Sequence, residues 1–275
     1  MPNLVLNREE VGQRGKQLYE QTIRPQVETP ENIGKIVIME PMLSQKAVQE
    51  LAFWNSRVQQ QGVLRNDHYE YFYTTYFGLD RAFYRKKKIL DIGCGPRGSL
   101  EWATEASLRV GLDPLAEAYQ RLGADRHGMR YVAGGAERIP FANGFFDVAC
   151  SINSLDHVDD LDRVIAEIIR IVSPQGYFLL LTDIHRHPTV LEPAAFSWNI
   201  VEKFLPEFDV VLQGHFEHSA TTTEGFGDMW QSLRNAIPYD HADLTDRYGI
   251  LSALFRKCPA ALHGPASEPR RVVIE

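Results

Sequence analysis

From Lys88 onward the chain repeats one rhythm, a short apolar run followed by a turn and then a stretch with apolar residues every three or four positions. That alternation predicts an α/β protein with a doubly wound, mostly parallel sheet. Residues 89–91, 108–113, 129–133, 146–152 and 177–182 read as five strands, with 208–212 and 250–255 as a sixth and seventh. Leu161, Val164, Ile165, Ile168, Ile169 and Val172 predict an amphipathic helix between strands four and five, stopped by Pro174 and Gly176. Residues 214–248, with Thr221 to Thr223, several glycines and Trp230, are too long for an ordinary loop and are expected to be a substrate-side insertion. Residues 259–275 form a tail rich in Pro and Ala.

Ahead of Lys88 the pattern is less regular. Val11, Leu18 and Tyr19 predict a helix over residues 7–22, Pro25 and Pro30 break the chain, and residues 34–39 read as a strand ended by Pro41. Val48, Leu51, Ala52 and Val58 predict a second helix over 45–60. Residues 1–60 carry no recognisable chemistry and form an N-terminal helical extension, leaving 61–258 as the main domain. Tyr69, Phe72, Tyr73 and Tyr76 recur at helical spacing. They fit a helix packed on the sheet, or a lid whose aromatic faces meet a cation and a substrate, with Tyr73 the foremost substrate-binding candidate.

Composition narrows the function classes. The 275 residues carry 29 Lys+Arg against 36 Asp+Glu, a formal charge of −7, with 44% hydrophobic residues, which is ordinary for a folded soluble protein. An acidic chain offers no broad positive field to a phosphate backbone, and Lys86 to Lys88 read as a solvated cluster, so no nucleic-acid partner is expected. Cys94, Cys150 and Cys258 form no C-x-x-C pair, which suits reduced thiols. With no apolar run of eighteen residues and no signal-like N-terminus, the expectation is a cytoplasmic protein without a membrane partner. Oligomeric state is not legible.

The strongest chemical signal is Asp91-Ile92-Gly93-Cys94-Gly95-Pro96-Arg97-Gly98, which follows an apolar strand and precedes a helix expected near Ser99. Its glycines allow a tight turn and close approach of a ligand to the amides. Twenty positions after Gly93 stands Asp113, where a carboxylate can accept both hydroxyl protons of a ribose. A nicotinamide-dinucleotide enzyme would share that acid. Asp91, however, suits a ligand bearing an ammonium group and is poorly placed beside a pyrophosphate, which favours a cationic nucleoside such as S-adenosylmethionine.

On these residues the chain resembles the class I S-adenosylmethionine-dependent methyltransferases, over roughly residues 86–183 and more loosely to 258. Asp91 to Gly98 resembles the first family motif, which implies that Gly93, Cys94 and Gly95 embrace the methionine part while Asp91 holds its amino group. Gly111 to Leu115 resembles the second, implying Asp113 on the ribose and Pro114-Leu115 against the adenine. Gly134 to Phe141 resembles the adenine-contacting segment, with Ala136 and Glu137 as contacts, although Gly135 stands where many relatives have Asp. Gln175 departs mildly from the family's Pro-Gly-Gly turn. The resemblance further implies a Rossmann-like seven-stranded sheet whose last strand is antiparallel.

Acceptor-side candidates follow strands four and five. Asn153 and Ser154 are expected to line the cofactor pocket. Asp156 and His157 are the catalytic candidates, since an imidazole takes a proton near neutral pH, although a histidine here more often just bonds to neighbouring backbone and Asp156 could start a helix. Asp183, His185 and His187 could orient a diol through a divalent metal. Neither they nor His215 and His218 show a complete ligand spacing, so no metal is assigned and His185 is read as substrate-binding. The expected activity is methyl transfer to a small molecule by in-line displacement. An NAD-dependent oxidoreductase and a noncatalytic S-adenosylmethionine-binding partner subunit remain as alternatives.

Overall fold

The structure, a computed structural model, describes residues 44–218 and 226–259. The elements expected at 7–22 and 34–39, Thr221 to Thr223, and the tail from residue 260 lie outside the described residues. The chain divides into two compact units, Met1–Ser56 and Arg57–Glu275. Helix α1, Gln45–Gln61, follows the expected 45–60, and the Ser44 hydroxyl accepts from the Ala47 amide at 3.2 Å near its start.

Seven strands form one sheet in the order β3-β2-β1-β4-β5-β7-β6. They are β1 Lys88–Ile92, β2 Leu108–Asp113, β3 Arg130–Ala133, β4 Phe146–Ile152, β5 Val172–Ile184, β6 Phe208–Glu217 and β7 Gly249–Lys257. The first five run parallel to one another, and β7 runs antiparallel between β5 and β6. The fold is therefore the expected Rossmann-like one, with the reversed last strand.

The central strands are apolar on both faces because both faces are covered. Along β5, Phe178 and Leu180 enter one cluster while Leu179 and Leu181 enter the other. After the short helices α2, Tyr69–Tyr73, and α3, Ala116–Gln120, the first cluster takes Val164, Ile165, Ile168 and Ile171 from helix α4, Leu161–Ile171. That helix starts where the Asp160 carboxylate accepts from the Arg163 amide, and its three-to-four spacing of aliphatic residues lays one stripe on the sheet. The second cluster takes aromatic residues from the chain ahead of β1, namely Tyr69, Phe72, Tyr73, Phe77 and Tyr84, with Met229 and Leu233 of helix α5, Phe226–Asn235. Burial of each such side chain contributes about 1.5–3 kcal/mol.

Three elements depart from expectation. No helix forms near Ser99; the chain from Gly98 to Ala106 runs as consecutive tight turns, with Glu101 bonding back to Gly98, Ala103 to Leu100 and Ala106 to Ala103. Two carbonyls that an α-helix would need are taken by side chains, Ser99 by the Trp102 indole at 2.9 Å and Glu101 by Arg109 at 2.9 Å. Strand β5 begins five residues earlier than expected, its parallel register with β4 shifting between Phe146 and Val148. The 214–248 segment opens inside β6, continues into α5, and returns through residues tied down by Arg247, which donates to Glu217 at 2.8 Å and to the Asp240 carbonyl at 2.8 Å.

Candidate functional site

Strand β1 lies between β2 and β4, so the chain order reverses there, and the carboxyl ends of β1, β2, β4 and β5 frame the crevice in which open α/β sheets bind ligands. At Gly93 the chain leaves β1 with φ +71°, and a Cβ there would lie 2.4 Å from the Ser154 Cβ. Only glycine makes this turn beside β4. The Ser154 hydroxyl donates to the Ile92 carbonyl at 2.6 Å and pairs with Ser151 at 2.7 Å, so Ser154 locks the two strand ends together. Gly98, also at positive φ, donates its amide to the Tyr131 hydroxyl at 2.9 Å. Cys94 is buried against Gly111.

The two acids face each other across this turn. Asp113 accepts from the Gly95 amide at 3.2 Å and from the Leu115 amide at 2.9 Å, each on a different oxygen. An ionised carboxylate has about four lone-pair sites, two on each oxygen. Asp91, 2% exposed, accepts from Tyr73 at 2.9 Å and from Ser99 on the same oxygen. Burial pushes its carboxyl up to about 7 against the pull of those two hydroxyls, and the charge of Asp113 adds to the rise. Among the described residues no Lys, Arg or His forms an ion pair with it.

Tyr73 is therefore a buried partner of Asp91 rather than an exposed lid aromatic, because helix α2, Tyr69–Tyr73, packs its ring into the second core cluster. The chain just before it covers the glycine turn. Arg97 donates to the Arg65 carbonyl at 2.8 Å and to Gln61 at 3.2 Å. Neither contact, nor the Ser99 hydroxyl on Asp91, carried a sequence signal beyond proximity to the motif.

After β2 and β3, Leu115 and Ala136 are buried, Pro114 links the acid to Leu115, and the Glu137 carboxylate accepts from the Asp159 amide at 3.1 Å. Glu137 thus ties the loop after β3 to the segment entering α4. Asn153 sits at φ +58°, its amide bonded to the Leu181 carbonyl at 2.7 Å, with a buried side-chain oxygen that makes no hydrogen bond.

The acceptor side is built differently. Asp156 is fully buried in a short turn after β4, and the neighbouring His157 keeps 28% of its side chain exposed with Nε2 3.9 Å from the acid. Asp183 and His185 leave β5 beside them, and His185 Nε2 stands 3.9 Å from Asp156 and 4.0 Å from Glu192. Burial, reinforced by the charges of Asp156 and Glu192, holds Asp183 well above the usual carboxylate range. Tyr248 stacks on His185 with ring centroids 5.3 Å apart. His187 does not join the group; it is 82% exposed and pairs with Asp246 at 3.2 Å. His215 bonds to His241 at 2.9 Å and stacks on Trp198, while His218 Nε2 lies 3.9 Å from Asp183. Glu192 lies in a loop with no periodicity and had no sequence signal.

A family described as a methyltransferase domain matches residues 90–180. The chain is 29% identical over 132 residues to the tocopherol O-methyltransferase of Arabidopsis thaliana, covering 44% of this chain and 38% of that protein. It is 29% identical over 179 residues to the malonyl-[acyl-carrier protein] O-methyltransferase of Erwinia billingiae, covering 60% and 70%. Phthiotriol/phenolphthiotriol dimycocerosates methyltransferase 1 of Mycobacterium ulcerans is 32% identical over 112 residues, covering 38% and 41%. The match thus spans less than half of the first and third of these proteins. Among solved structures, a chain of a Haloferax volcanii complex containing the Trm112 methyltransferase activator shares the fold, with TM-score 0.54 and 17% identity over 76% of this chain and 98% of that one. No helix among the described residues is long and apolar enough to cross a membrane.

Proposed function

We propose that this chain, which belongs to the class I S-adenosylmethionine-dependent methyltransferases, transfers the methyl group of that cofactor to an oxygen of a small-molecule acceptor by in-line displacement. The observation that carries the cofactor is Asp91, a carboxylate 2% exposed beside a glycine turn, with no cationic side chain paired to it among the described residues. A buried charge without a counter-charge is costly, and a ligand ammonium supplies one. A pyrophosphate would add repulsion there.

The residues fit the cofactor in three further ways. The turn at Gly93 closes the end of β1 against Ser154 of β4, Asp113 offers its carboxylate oxygens to a ribose diol, and the buried Asn153 oxygen is an unused acceptor. In this reading Gly93, Cys94, Gly95 and Asp91 hold the amino-acid part, Asp113, Pro114 and Leu115 the ribose and adenine, with Ala136 and Glu137 behind them. When bound, the sulfonium supplies an electrophilic methyl carbon with a neutral thioether as leaving group.

The chain's own task is to align an acceptor and manage its proton. His157, the exposed member of the acceptor-side group, receives the hydroxyl proton while fully buried Asp156 stands beside it. Asn153 and Ser154 hold the end of β4, three to four residues ahead of His157. An oxygen acceptor is supported by the names of two relatives as O-methyltransferases.

Calorimetry with S-adenosylmethionine, its demethylated product and NADH tests the cofactor, and labelled-methyl transfer to a panel of phenols, carboxylic acids and aliphatic alcohols tests the acceptor. Binding of NADH in place of the first two ligands would overturn the assignment.

A further inference from the structure

The side chains at the carboxyl ends of β4 and β5 form a group that methyl transfer alone does not require. Asp156, His157 and Glu192 each offer a ligand atom, all within 4.8 Å of one another. His185 closes on the same group, 3.9 Å from Asp156 and 4.0 Å from Glu192. Two imidazoles and two carboxylates brought together from three separate segments are a donor set, not a surface acidic patch.

His185 supplies an independent observation. Its side chain is 1% exposed, and Nε2 is buried without a hydrogen bond while aimed between the two carboxylates. Its other ring nitrogen, Nδ1, meets the His187 carbonyl at 3.0 Å. A carbonyl can only accept, so Nδ1 carries the proton and Nε2 presents its lone pair to the group. Backbone fixation of one nitrogen with the other left free is the arrangement by which proteins orient a metal-ligating histidine.

We propose that Asp156, His185 and Glu192 bind a divalent transition-metal cation, with His157 as the outermost, exchangeable ligand. Mixed imidazole and carboxylate donors favour zinc, iron(II) or manganese(II) over magnesium or calcium, which prefer all-oxygen shells. A cation held at about 2.0–2.2 Å from each ligand needs ligand–ligand edges of about 3.3 Å, so the approaches of 3.9 and 4.0 Å that His185 makes to the two carboxylates shorten on binding. Glu192 and His157, 25% and 28% exposed, lie on the open side, while Asp156 and His185, each 1% exposed, form the floor. An acceptor oxygen that displaces His157 from the cation would meet the freed imidazole as its proton acceptor. Cation binding itself is read without turnover, so it stands or falls separately from the methyl-transfer assignment.

Chelator-treated full-length protein titrated with cobalt(II), followed by its visible ligand-field absorption, and with zinc(II) by calorimetry, tests the site. The expected result is one saturable equivalent, weakened at least about 100-fold in His185→Gln and in Glu192→Gln, since loss even of a supporting partner costs 10–100-fold. His157→Asn should weaken binding less, and His187→Gln, at an exposed position outside the group, should leave it unchanged. Should His185→Gln not fold, Glu192→Gln on the rim decides alone. Absence of saturable binding, equal binding in the Glu192→Gln protein, or loss of binding in His187→Gln would each overturn the proposal.

Discussion

The two halves of the crevice solve the problem of buried charge in opposite ways. Around the glycine turn, Asp91 and Asp113 are held by Tyr73, Ser99 and the amides of Gly95 and Leu115, with distances of 2.9–3.2 Å where they are of ordinary length. Beyond β4 and β5, Asp156 stands 3.9 Å from His157 and from His185, and His185 4.0 Å from Glu192, too far for hydrogen bonds. The first half is a rigid cradle whose geometry exists before any ligand arrives. The second is a looser set of side chains, the one proposed above to close on a cation. A buried polar group left unmade costs about 1–3 kcal/mol, and His185 Nε2 is such a group.

The largest expected effect tests whether the halves act separately. His157→Ala should lower turnover by about 10² to 10⁴, the usual contribution of a positioned proton acceptor, with S-adenosylmethionine affinity nearly unchanged in calorimetry. Equal loss of cofactor affinity would mean that the halves are one unit.

Next comes the rigidity of the cradle. Gly93→Ala places a Cβ 2.4 Å from that of Ser154 at a backbone φ of +71°. Overpacking and left-handed strain together should cost about 2–5 kcal/mol, read as a lower urea midpoint with an unchanged slope. A midpoint within error of the parent would show that the Ser154 contact is loose and the turn not fixed.

This contrast also explains what was readable along the chain. Asp91, Gly93 and Asp113 lie within one β-turn-β unit, where local geometry and short spacing fix the chemistry, and strand β2 appears at its expected bounds. The acceptor half is assembled from segments far apart: Asp156 and His157 after β4, His185 after β5, and Glu192 in a loop with no periodicity. Nothing local brings Glu192 to His185. The same limit applies to Tyr73, whose helical spacing shows that it is buried on a helix but not that its hydroxyl ends on Asp91. The turns at 98–106 were misread for a related reason, because Arg109 reaches back from β2 to take a carbonyl that a helix would use.

Within the cradle, Asp113→Ala should weaken S-adenosylmethionine binding by about 1–3 kcal/mol, as expected for a hydrogen bond to a charged group. The variant also frees the amides of Gly95 and Leu115, so thermal unfolding without ligand serves as the control. Unchanged affinity in a folded variant would remove Asp113 from the ribose site.

The smallest effect concerns Asp91 and is read through pH. A cationic ligand group binds its ionised form, and the ligand-free carboxyl sits at about 7. Below that pH, binding must first remove a proton, so cofactor affinity should fall about tenfold per pH unit, and it should level off above about 7 until the cofactor's own amino group titrates near 8. Stability of the ligand-free protein moves the other way. Because the folded carboxyl titrates higher than the unfolded one, the unfolded chain binds fewer protons between the two values, and this contribution to stability is lost as pH rises toward 7. Tyr73→Phe removes a donor that favours the ionised form, so the half-point of the affinity curve should move up by about one unit, with little change at pH 8. A half-point that stays in place would mean that Ser99 alone holds the carboxylate. An affinity that does not vary between pH 5 and 7 would place the ligand's positive charge somewhere other than Asp91.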